Sequence, residues 1–483
     1  MNKPFTLLLI FFLSAGLAFG QGNTHIQRSK EIKKIDDKTY IIHTVEKYQS
    51  LYMIAKTYGV EVEDIIRENP EVKEGIHPKQ QLKILISTSP EKQEIKKETP
   101  KTQTPVVKKE SPPEEEKILP CGQDPRGKKS IYTVALMLPL YLDNISTIDS
   151  ESVKEIENIK PFEFLPFYEG FRMAVDSMVA KGFSVKLLVY DIHEDTTQTR
   201  KILKSEEFKN VDLIIGLLFT RNFRIVASYA LKNKIPIVNT VSERDEIIRH
   251  NPEVIKVKAG MKSQSGFLED LIRKNFPDQN VIVIRDPGYK NKESVDNFLA
   301  LCRKANISTH LTDGYANAAP MLVKEKENVL VVFSENKVKV IDWVTKFNIK
   351  RKEYSMTLIG IPRWDKMEDG IETDYMLNLK AHIIAPSFID YDNDSTKQFV
   401  RNYQIAFKTD PDPLAFQGYD VATYFLTALS KYGRNFKRCL PEFTMKGLRS
   451  DYIFYQPATG DGLENISWRI YSYDNYRLVR VNP

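Results

Sequence analysis

The sequence predicts an α/β protein built from two units of unequal size joined by an extended linker. Residues 40–86 have the pattern strand, helix, helix and strand, and from Ser130 onward strands and helices alternate over most of the remaining chain. Between these regions, residues 89–117 contain no aromatic residue but five prolines, seven lysines and seven glutamates. The predicted architecture is therefore a small βααβ module, a disordered linker and a larger α/β domain with two lobes.

The composition excludes some classes of protein. The 483 residues carry 70 Lys and Arg against 64 Asp and Glu, a net charge of +6. With 42% hydrophobic and 28% charged residues, the chain has the profile of a soluble globular protein. The positive balance is too weak for a polybasic nucleic-acid binder, so nucleic acid is not predicted as a partner.

The first twenty residues form a strongly apolar run. Lys3 supplies a positive charge, residues 5–17 form an apolar block, and Ala18-Phe19-Gly20 places small residues before Gln21. This pattern predicts a cleaved signal peptide over residues 1–20, and hence an exported, periplasmic protein. The block is shorter than a transmembrane helix, no later segment is long enough to span a membrane, and no cysteine lies near the cleavage point for lipid attachment.

A short unit is predicted over residues 39–87. Residues 40–45 have the pattern of a strand, and Ser50 is placed to cap a helix that ends at Gly59. A second helix follows and stops at Asn69-Pro70, and residues 82–86 form the closing strand. A core this small is marginal, which favours a recognition module over an enzyme.

Several motifs in this unit carry a family resemblance. They are His43-Thr44-Val45, Ser50-Leu51-Tyr52-Met53-Ile54-Ala55, Tyr58-Gly59-Val60, Asn69-Pro70 and Gln80-Gln81-Leu82-Lys83-Ile84. With them the unit resembles a LysM domain over its whole length. The resemblance implies binding to glycans that contain N-acetylglucosamine, in bacteria mainly peptidoglycan. The alternative is a module that only packs against a neighbour.

By this resemblance the glycan groove lies between the loop before the first helix and the loop after the second. The residues implied are Gln49, Ser50, Leu51, Tyr52, Asn69, Pro70, Val72 and Ile76. Polar donors beside apolar ledges suit a sugar, because its hydroxyls need hydrogen bonds and its acetamide methyl needs apolar contact. The family usually has Gly-Asp-Thr where this chain has Tyr48-Gln49-Ser50, a difference that bears on affinity rather than on fold.

Residues 88–128 are predicted to be the linker. In its central part only Ile95, Val106 and Val107 are large and apolar, too few to offset the entropy of ordering the chain. The functional interpretation is a tether that joins an anchor to a working domain. A spacer without function has the same composition, and only the flanking units distinguish the two.

Strand–helix alternation in the large unit predicts two lobes with mostly parallel sheets. Strands are expected at 133–138, 185–190, 211–215 and 235–238, and again at 281–284, 329–333 and 356–359. The motifs that carry a second resemblance are Val134-Ala135-Leu136-Met137-Leu138-Pro139-Leu140, Tyr168-Glu169-Gly170-Phe171-Arg172-Met173-Ala174, Asp212-Leu213-Ile214-Ile215-Gly216, Lys234-Ile235-Pro236-Ile237-Val238-Asn239-Thr240 and Gly418-Tyr419-Asp420-Val421-Ala422. In order and spacing, residues 129–483 resemble the type 1 periplasmic-binding-protein fold, the class of branched-chain amino-acid receptors.

The resemblance implies three crossings of the chain between lobes. Lobe 1 would comprise about 130–254 and 388–450, and lobe 2 about 255–387 and 451–483. A ligand would bind in the cleft where the carboxyl ends of the strands meet. The implied contacts are Leu217, Thr220, Thr240 and Ser242 in lobe 1, which would hold a carboxylate, and Tyr289 and Trp364 in lobe 2, which would cover the ligand when the lobes close.

Two features differ from a simple nutrient receptor. Residues 140–161 insert an acidic stretch into the first strand–helix loop, at the expected cleft mouth. Phe219 and Arg221 are bulky where small polar residues are common. Both reduce the room for an amino acid, which leaves a partner protein at the cleft rim as an alternative occupant.

The three cysteines are too few for a disulfide scaffold or a zinc site. Cys302 lies in an amphipathic helix pattern and is expected in the core. Cys121 and Cys439 remain as candidate disulfide partners in an oxidising compartment, although sequence does not reveal whether they are close.

Motifs for enzymatic chemistry are absent from the sequence. It has no glycine-rich phosphate loop, HExxH zinc motif or Gly-x-Ser-x-Gly elbow, so no cofactor, metal or catalytic residue is predicted. The cluster Asp191, His193, Glu194 and Asp195 follows a strand and is interpreted as loop caps in preference to metal ligands.

The leading hypothesis is an exported, peptidoglycan-associated binding protein whose two-lobed domain binds a small solute or a wall-associated partner protein as a sensor or regulator. One alternative is the solute receptor of an ABC importer. Another is a regulator of peptidoglycan synthesis similar to the lipoprotein activators of penicillin-binding proteins. A hydrolase ranks last, because nothing in the sequence supplies a nucleophile beside a base.

Overall fold

The computed structural model describes residues 28–29, 31–35, 38–46, 51–60, 62–74, 76–77, 79–85, 121, 128–142, 163–364, 367 and 370–481. The predicted signal peptide, nearly all of the predicted linker and the insertion after residue 142 lie outside these residues. The chain divides into two compact units, Met1–Pro113 and Glu114–Pro483. In the part that is described, no helix has the length and apolarity needed to cross a bilayer.

The small unit is an antiparallel sheet packed on two helices. Its strands are β1 (Ile32–Ile35), β2 (Lys38–Thr44) and β3 (Gln81–Leu85), in the sheet order β1-β2-β3, and its helices are α1 (Leu51–Tyr58) and α2 (Val62–Glu68), followed by a 3-10 helix over Pro70–Glu74. The core side chains are Val45, Ile54, Ala55, Ile65, Val72, Leu82 and Ile84. Strand β1 was not predicted, because all four of its residues are exposed and show no alternation.

The large unit has two α/β lobes. Its strands are β4 (Tyr132–Leu138), β5 (Val185–Asp191), β6 (Leu213–Gly216), β7 (Ile237–Asn239), β8 (Val254–Lys256), β9 (Asn280–Arg285), β10 (Thr309–Asp313), β11 (Asn328–Phe333), β12 (Met356–Gly360), β13 (His382–Ala385), β14 (Met445–Lys446), β15 (Asp451–Tyr452), β16 (Phe454–Tyr455), β17 (Leu463–Asn465), β18 (Arg469–Asp474) and β19 (Arg477–Val481). Its α-helices are α3 (Leu165–Ala180), α4 (Thr196–Leu203), α5 (Thr220–Asn233), α6 (Met261–Asn275), α7 (Lys292–Lys304), α8 (Gly314–Ala318), α9 (Lys337–Lys350), α10 (Thr373–Asn378), α11 (Asp394–Phe407) and α12 (Pro413–Tyr432). Each strand predicted for this unit overlaps one of these strands.

Each lobe is built on its own sheet. The lobe 1 sheet has the order β16-β17-β8-β7-β6-β4-β5, in which β8, β7, β6, β4 and β5 are parallel neighbours. The lobe 2 sheet has the order β10-β9-β11-β12-β13-β18-β19, with the last two strands antiparallel to their neighbours. The buried strands are rich in Val, Ile and Leu, as expected for parallel sheets covered on both faces. The predicted fold class is confirmed.

The chain passes between the lobes at residues 257–260, 386–393 and 466–468. The first two crossings lie close to the expected boundaries, but the third does not lie near residue 450. Strand β17 pairs in parallel with β8, Leu463 opposite Ile255, so residues 451–465 extend the lobe 1 sheet. The assignment of 451–465 to lobe 2 was therefore wrong, because periodicity shows a strand but not which sheet it joins.

A disulfide joins Cys121 and Cys439, with the Cα atoms 5.6 Å apart. Cys439 is buried in the 3-10 helix Gly433–Glu442, which packs in the lobe 1 core. The bridge therefore ties the end of the linker region to lobe 1. Cys302 is a free thiol in the lobe 2 core, where burial raises its pKa to about 12.

Candidate binding sites

The cleft between the two lobes holds a polar cavity of about 370 Å³. Lobe 1 contributes the loop after β7 and the 3-10 helix Asp245–Ile248, and lobe 2 contributes the first residues of α6 and α7. The charged lining residues are Glu243, Arg244, Asp245, Glu246, Arg249, Lys262 and Glu293. Because both signs of charge are present, the cavity suits a small polar ligand that carries both charges itself.

Two of the four implied contacts in lobe 1 are interior side chains. Leu217 lies in the apolar core and Thr240 is fully buried. Thr240 Oγ1 donates to the Gly216 carbonyl at 3.1 Å, and Gln417 Nε2 donates to the Thr240 carbonyl at 2.8 Å. Thr240 thus ties the ends of β6, β7 and α12 together, and its hydroxyl is not presented to the cleft.

The other two, Thr220 and Ser242, remain at the surface. Thr220 is exposed as the first residue of α5, and Ser242 is half-buried. The Ser242 N–H donates to Asn239 Oδ1 at 2.7 Å, and the Ser242 Oγ accepts from the Arg244 N–H at 3.1 Å. These short-range bonds shape the loop after β7 and bring Arg244 to the cavity lining.

The aromatic residues implied for lobe 2 do not cover the cleft. Tyr289 is 4% exposed and its ring packs on Phe333, with ring centroids 5.9 Å apart. Trp364 is 2% exposed and its Nε1 donates to the Ser334 carbonyl at 2.9 Å. Both rings complete the lobe 2 core beneath the cleft-facing loops, since their apolar area is more stable there than in water. The prediction that Tyr289 and Trp364 cover a ligand was therefore wrong, because both side chains are buried in the core.

Asp286, which sequence analysis did not single out, organises the cleft-facing loops of lobe 2. Its carboxylate accepts from Lys339 Nζ at 2.6 Å, from the Gly288 N–H at 2.9 Å and from Ser334 Oγ at 3.1 Å. Burial opposes ionisation, but these hydrogen bonds outweigh it and lower the pKa of Asp286. The sequence signal for this role was the position of Asp286 directly after strand β9.

Two acidic residues, Asp191 at the end of β5 and Asp195 after it, cap backbone N–H groups. The Asp191 carboxylate accepts the backbone N–H groups of Leu140, Tyr141 and Leu142 at 2.8, 3.0 and 2.8 Å. Asp195 caps α4 by accepting from the Thr197 N–H at 3.2 Å. Among the described residues, no group of three His, Cys, Asp or Glu side chains is arranged to hold a metal ion.

A buried lysine lies where the chain first leaves lobe 1. Lys256, at the end of β8, is fully buried, with Nζ 2.6 Å from Asp245 Oδ1 and 3.1 Å from Glu464 Oε1. The Gly260 N–H also donates to Glu464 Oε1, at 3.0 Å. The cluster therefore joins β8, β17 and the first crossing. Its sequence signal was a lysine at the end of an otherwise apolar strand.

A buried arginine holds the other two crossings. Arg469 begins β18, and its guanidinium donates to Asp451 Oδ1 and to the Gly447 carbonyl, both at 2.6 Å, and to the Leu448 carbonyl at 3.0 Å. It also donates to the carbonyl of Phe388, in the second crossing. Because five donors are fixed in one plane, a single arginine can bind several chain segments at once.

In the small unit, the implied glycan-binding residues fall into two groups. Asn69 and Val72 are buried, Leu51 and Ile76 are half-buried, and Pro70 is exposed. Gln49, Ser50 and the side chain of Tyr52 lie outside the described residues. Leu51, Pro70 and Ile76 therefore supply the described surface of the implied groove.

Asn69 fixes the loop that carries Pro70 and Ile76. Its Nδ2 donates to the carbonyls of Ile65 at 2.7 Å and Lys83 at 2.8 Å, and its Oδ1 accepts from the Lys83 N–H at 2.8 Å. The amide thereby links the end of α2 to β3. With its polar atoms engaged and its side chain buried, Asn69 is a structural residue of this loop.

Comparison with known proteins identifies the family. A family model described as periplasmic binding protein matches residues 164–461, and a LysM domain model matches residues 43–85. The first match spans more than half of the chain, so the chain belongs to the periplasmic binding protein family, and it carries a LysM domain. Both predicted resemblances are confirmed. Among curated proteins, no sequence matches this chain.

Three solved structures show what the large unit is similar to. A putative branched-chain amino acid ABC transporter from Rhodospirillum rubrum is 10% identical, with 73% of this chain and 100% of that chain covered and a TM-score of 0.52. An ABC transporter substrate-binding protein from Desulfitobacterium hafniense in complex with Leu is 14% identical, with 73% and 100% covered and a TM-score of 0.43. The C-domain of LpoA from Haemophilus influenzae, a regulator of PBP1A, is 13% identical, with 72% and 100% covered and a TM-score of 0.46. At 10% identity, the likeness to the Rhodospirillum rubrum structure shows the fold alone.

Proposed function

We propose that this chain is an exported, peptidoglycan-associated binding protein in which the LysM domain holds cell-wall glycan and the two-lobed domain binds a small polar solute or a partner protein as a sensor or regulator. The observation that carries the proposal is the presence of two binding-type domains in one chain, matched at 43–85 and 164–461 and compact as separate units. The apolar run at residues 1–20 supports export.

The glycan role is supported by the surface that the small unit offers. Leu51 lies at the start of α1, and Pro70 and Ile76 lie on the loop that Asn69 holds in place. These three side chains would provide the apolar contacts. A pyranose ring needs such contacts beside hydrogen-bonding groups, which Gln49 and Ser50 would supply. The unit is too small to hold a buried catalytic centre, so binding is the role it serves best.

The solute role is supported by the charged cavity between the lobes. A zwitterion placed there would bring its carboxylate to Arg244, Arg249 or Lys262 and its ammonium group to Glu246 or Glu293. Because these groups come from both lobes, bound ligand would favour the closed population by its higher affinity for that state. Closure at the wall would then report the presence of the solute.

Exposed apolar side chains at the cleft border favour the second occupant, a partner protein. Leu142 follows β4, Val241 follows β7 and Val338 lies at the start of α9, and these side chains are 52%, 44% and 76% exposed. A regulator of peptidoglycan synthesis would use such a rim for docking. The ABC-importer receptor remains the alternative in which the cleft alone is used.

Sedimentation with insoluble peptidoglycan tests the glycan role. The mature chain should sediment, and a chain that begins at Ile118 should not. The truncation starts there so that Cys121 and its disulfide with Cys439 are kept. Equal sedimentation of the two proteins would refute the anchoring role.

A matched pair of substitutions locates the glycan site. Ile76→Gln removes an apolar side chain from the implied groove and should weaken sedimentation roughly tenfold. Ile32→Gln makes the same change on β1, where the side chain is 61% exposed, and should have no effect. The assignment of the groove fails if both variants sediment alike.

Calorimetric titration with amino acids and soluble muropeptides tests the cleft. Binding should be lost in Glu293→Gln, which removes one charge from the cavity lining, and retained in Glu353→Gln, an exposed glutamate after α9. If no solute binds, Val241→Asp tests docking at the rim. Docking is supported if the wild type captures a wall-associated protein and Val241→Asp does not. Docking at the rim is refuted if both proteins capture it equally.

A further inference from the structure

A second cavity, of about 580 Å³, lies beside the charged cleft and is mainly apolar. Lobe 1 contributes Ile248 and the β16–β17 hairpin, with Tyr455 and Pro457, and lobe 2 contributes Phe267 of α6. Ile466, in the third crossing, completes the apolar lining. The volume falls within the range of sites that hold small organic molecules.

Helix α6 has a glycine, with no side chain, where it lines this cavity. Gly266 lies in the helix interior and lines the cavity, and a Cβ added there would meet no atom within 4 Å. In contrast, a Cβ added at Gly170 would lie 1.8 Å from the Ala415 carbonyl oxygen, so close packing explains that glycine. A helical glycine costs about 1 kcal/mol relative to alanine. At Gly266 no packing contact accounts for it, and the space that a side chain would occupy is open to a ligand.

In the described part of the chain, the carboxylates around the cavity have partners of their own, whereas two cations make no ion pair. The carboxylates of Asp245 and Glu464 are held by Lys256, at 2.6 and 3.1 Å, and Asp461 Oδ1 accepts from the His250 N–H at 2.8 Å. Arg249 and Lys262 line the same cavity. Within the described part of the chain, neither of these two side chains makes an ion pair.

We infer that this cavity is a binding site for an amphipathic anion, a molecule with a compact apolar body and one acidic group. The body would lie against Phe267, Ile248 and the bare surface at Gly266, and the acidic group would pair with Arg249 or Lys262. Since the lining comes from both lobes, the occupied site favours one lobe arrangement over others. The site does not require glycan binding, and it shares Arg249 and Lys262 with the charged cleft cavity.

Fluorescence titration of the full mature chain with 1-anilinonaphthalene-8-sulfonate tests the site. The probe has an aromatic body and one sulfonate, and it should bind saturably to one site. Gly266→Phe fills the cavity and should weaken binding roughly tenfold or more. Gly266→Ala, a smaller step at the same position, should weaken it less. Unsaturable binding, or equal affinity in the wild type and a Gly266→Phe protein with unchanged circular dichroism, would overturn the inference.

The neutral analogue N-phenyl-1-naphthylamine tests the charge. Arg249→Gln should weaken sulfonate binding several-fold, as expected for loss of a charge-assisted contact, and leave the neutral probe unaffected. Arg303→Gln, an exposed arginine in the last turn of α7, is the matched control and should change neither affinity. Equal effects of Arg249→Gln on both probes, or no effect on either, would refute selection for an anion.

Discussion

Single buried charges hold the loop at residues 447–450, which is hydrogen-bonded to Phe388 in the second crossing. Asp420 in α12 is fully buried, and its carboxylate accepts the N–H groups of Leu448 and Arg449 at 2.7 Å and of Ser450 at 3.0 Å. Arg469 binds carbonyls of the same loop. Each charge is thus satisfied by several backbone groups, which offsets much of the cost of taking it out of water.

Asp420 should make stability depend on pH. Burial raises its pKa from 3.8 to about 6, against the backbone N–H groups and Arg469, which lower it. In the window between these values the folded state binds one more proton than the unfolded state, so the free energy of unfolding falls as pH rises, by at most about 3 kcal/mol. We expect Asp420→Asn, which cannot ionise, to lack this decline in urea unfolding across that window.

The control for this measurement is Asp296→Asn, because Asp296 is exposed. Its pH profile should be parallel to that of the wild type. If Asp420→Asn also follows the wild-type profile, the ionisation of Asp420 does not govern stability in this range.

Among the elements, the contact of α3 with α12 depends on two glycines. A Cβ added at Gly170 would lie 1.8 Å from the Ala415 carbonyl oxygen, and one added at Gly418 would lie 2.0 Å from the Phe167 carbonyl oxygen. The two helix backbones therefore touch, and this brings the α12 side chains Val421, Phe425 and Leu429 into the lobe 1 core.

Alanine at either position should separate the helices. Gly170→Ala and Gly418→Ala should each lower the free energy of unfolding by roughly 3 kcal/mol or more, since the obstructing atoms belong to the backbone and cannot turn aside. Gly266→Ala in α6 has open space around it and should instead raise stability by up to about 1 kcal/mol. Urea unfolding of the three variants checks the order, and a small loss at Gly170 and Gly418 would contradict the contact.

At the scale of the large unit, the disulfide closes a long covalent loop. Cys121 and Cys439 are 318 residues apart in sequence. The double variant Cys121→Ser with Cys439→Ser should lose about 2–5 kcal/mol of unfolding free energy. Reductant should lower the stability of the wild type and leave the variant unchanged. Equal sensitivity of both proteins to reductant would contradict a structural bridge.

The lobe arrangement depends on Lys256, which joins β8 to the first crossing. Lys256→Met leaves Asp245 and Glu464 close together without their cation and should cost about 3–5 kcal/mol. Adding Glu464→Gln should recover part of this loss, because one of the two unpaired charges is removed. Chemical unfolding gives the energies, and the radius of gyration from X-ray scattering reports the lobe angle. If Lys256→Met left the free energy of unfolding unchanged, the cluster would not be structural.

Much of the architecture could be predicted from local pattern. The strand–helix alternation after Ser130 and the βααβ order of 40–86 arise from hydrophobic periodicity, which depends on neighbouring residues alone. The lobe assignment of residues 451–465 could not be predicted, because pairing of Leu463 with Ile255 joins strands that are distant in sequence. Strand β1 carries no alternation and was missed for that reason.

By itself, the sequence determined the two domain classes and the edge of the sheets where a cleft would form. Tertiary structure decided which side chains reach that cleft: Tyr289 and Trp364 are buried in lobe 2, whereas Arg244 and Glu293 line the cavity. It also decided the pairing of Cys121 with Cys439 and the use of Lys256 and Arg469 at the crossings. The reason is physical: burial and charge pairing are set by residues brought together from distant segments, and the pattern along one segment contains no information about them.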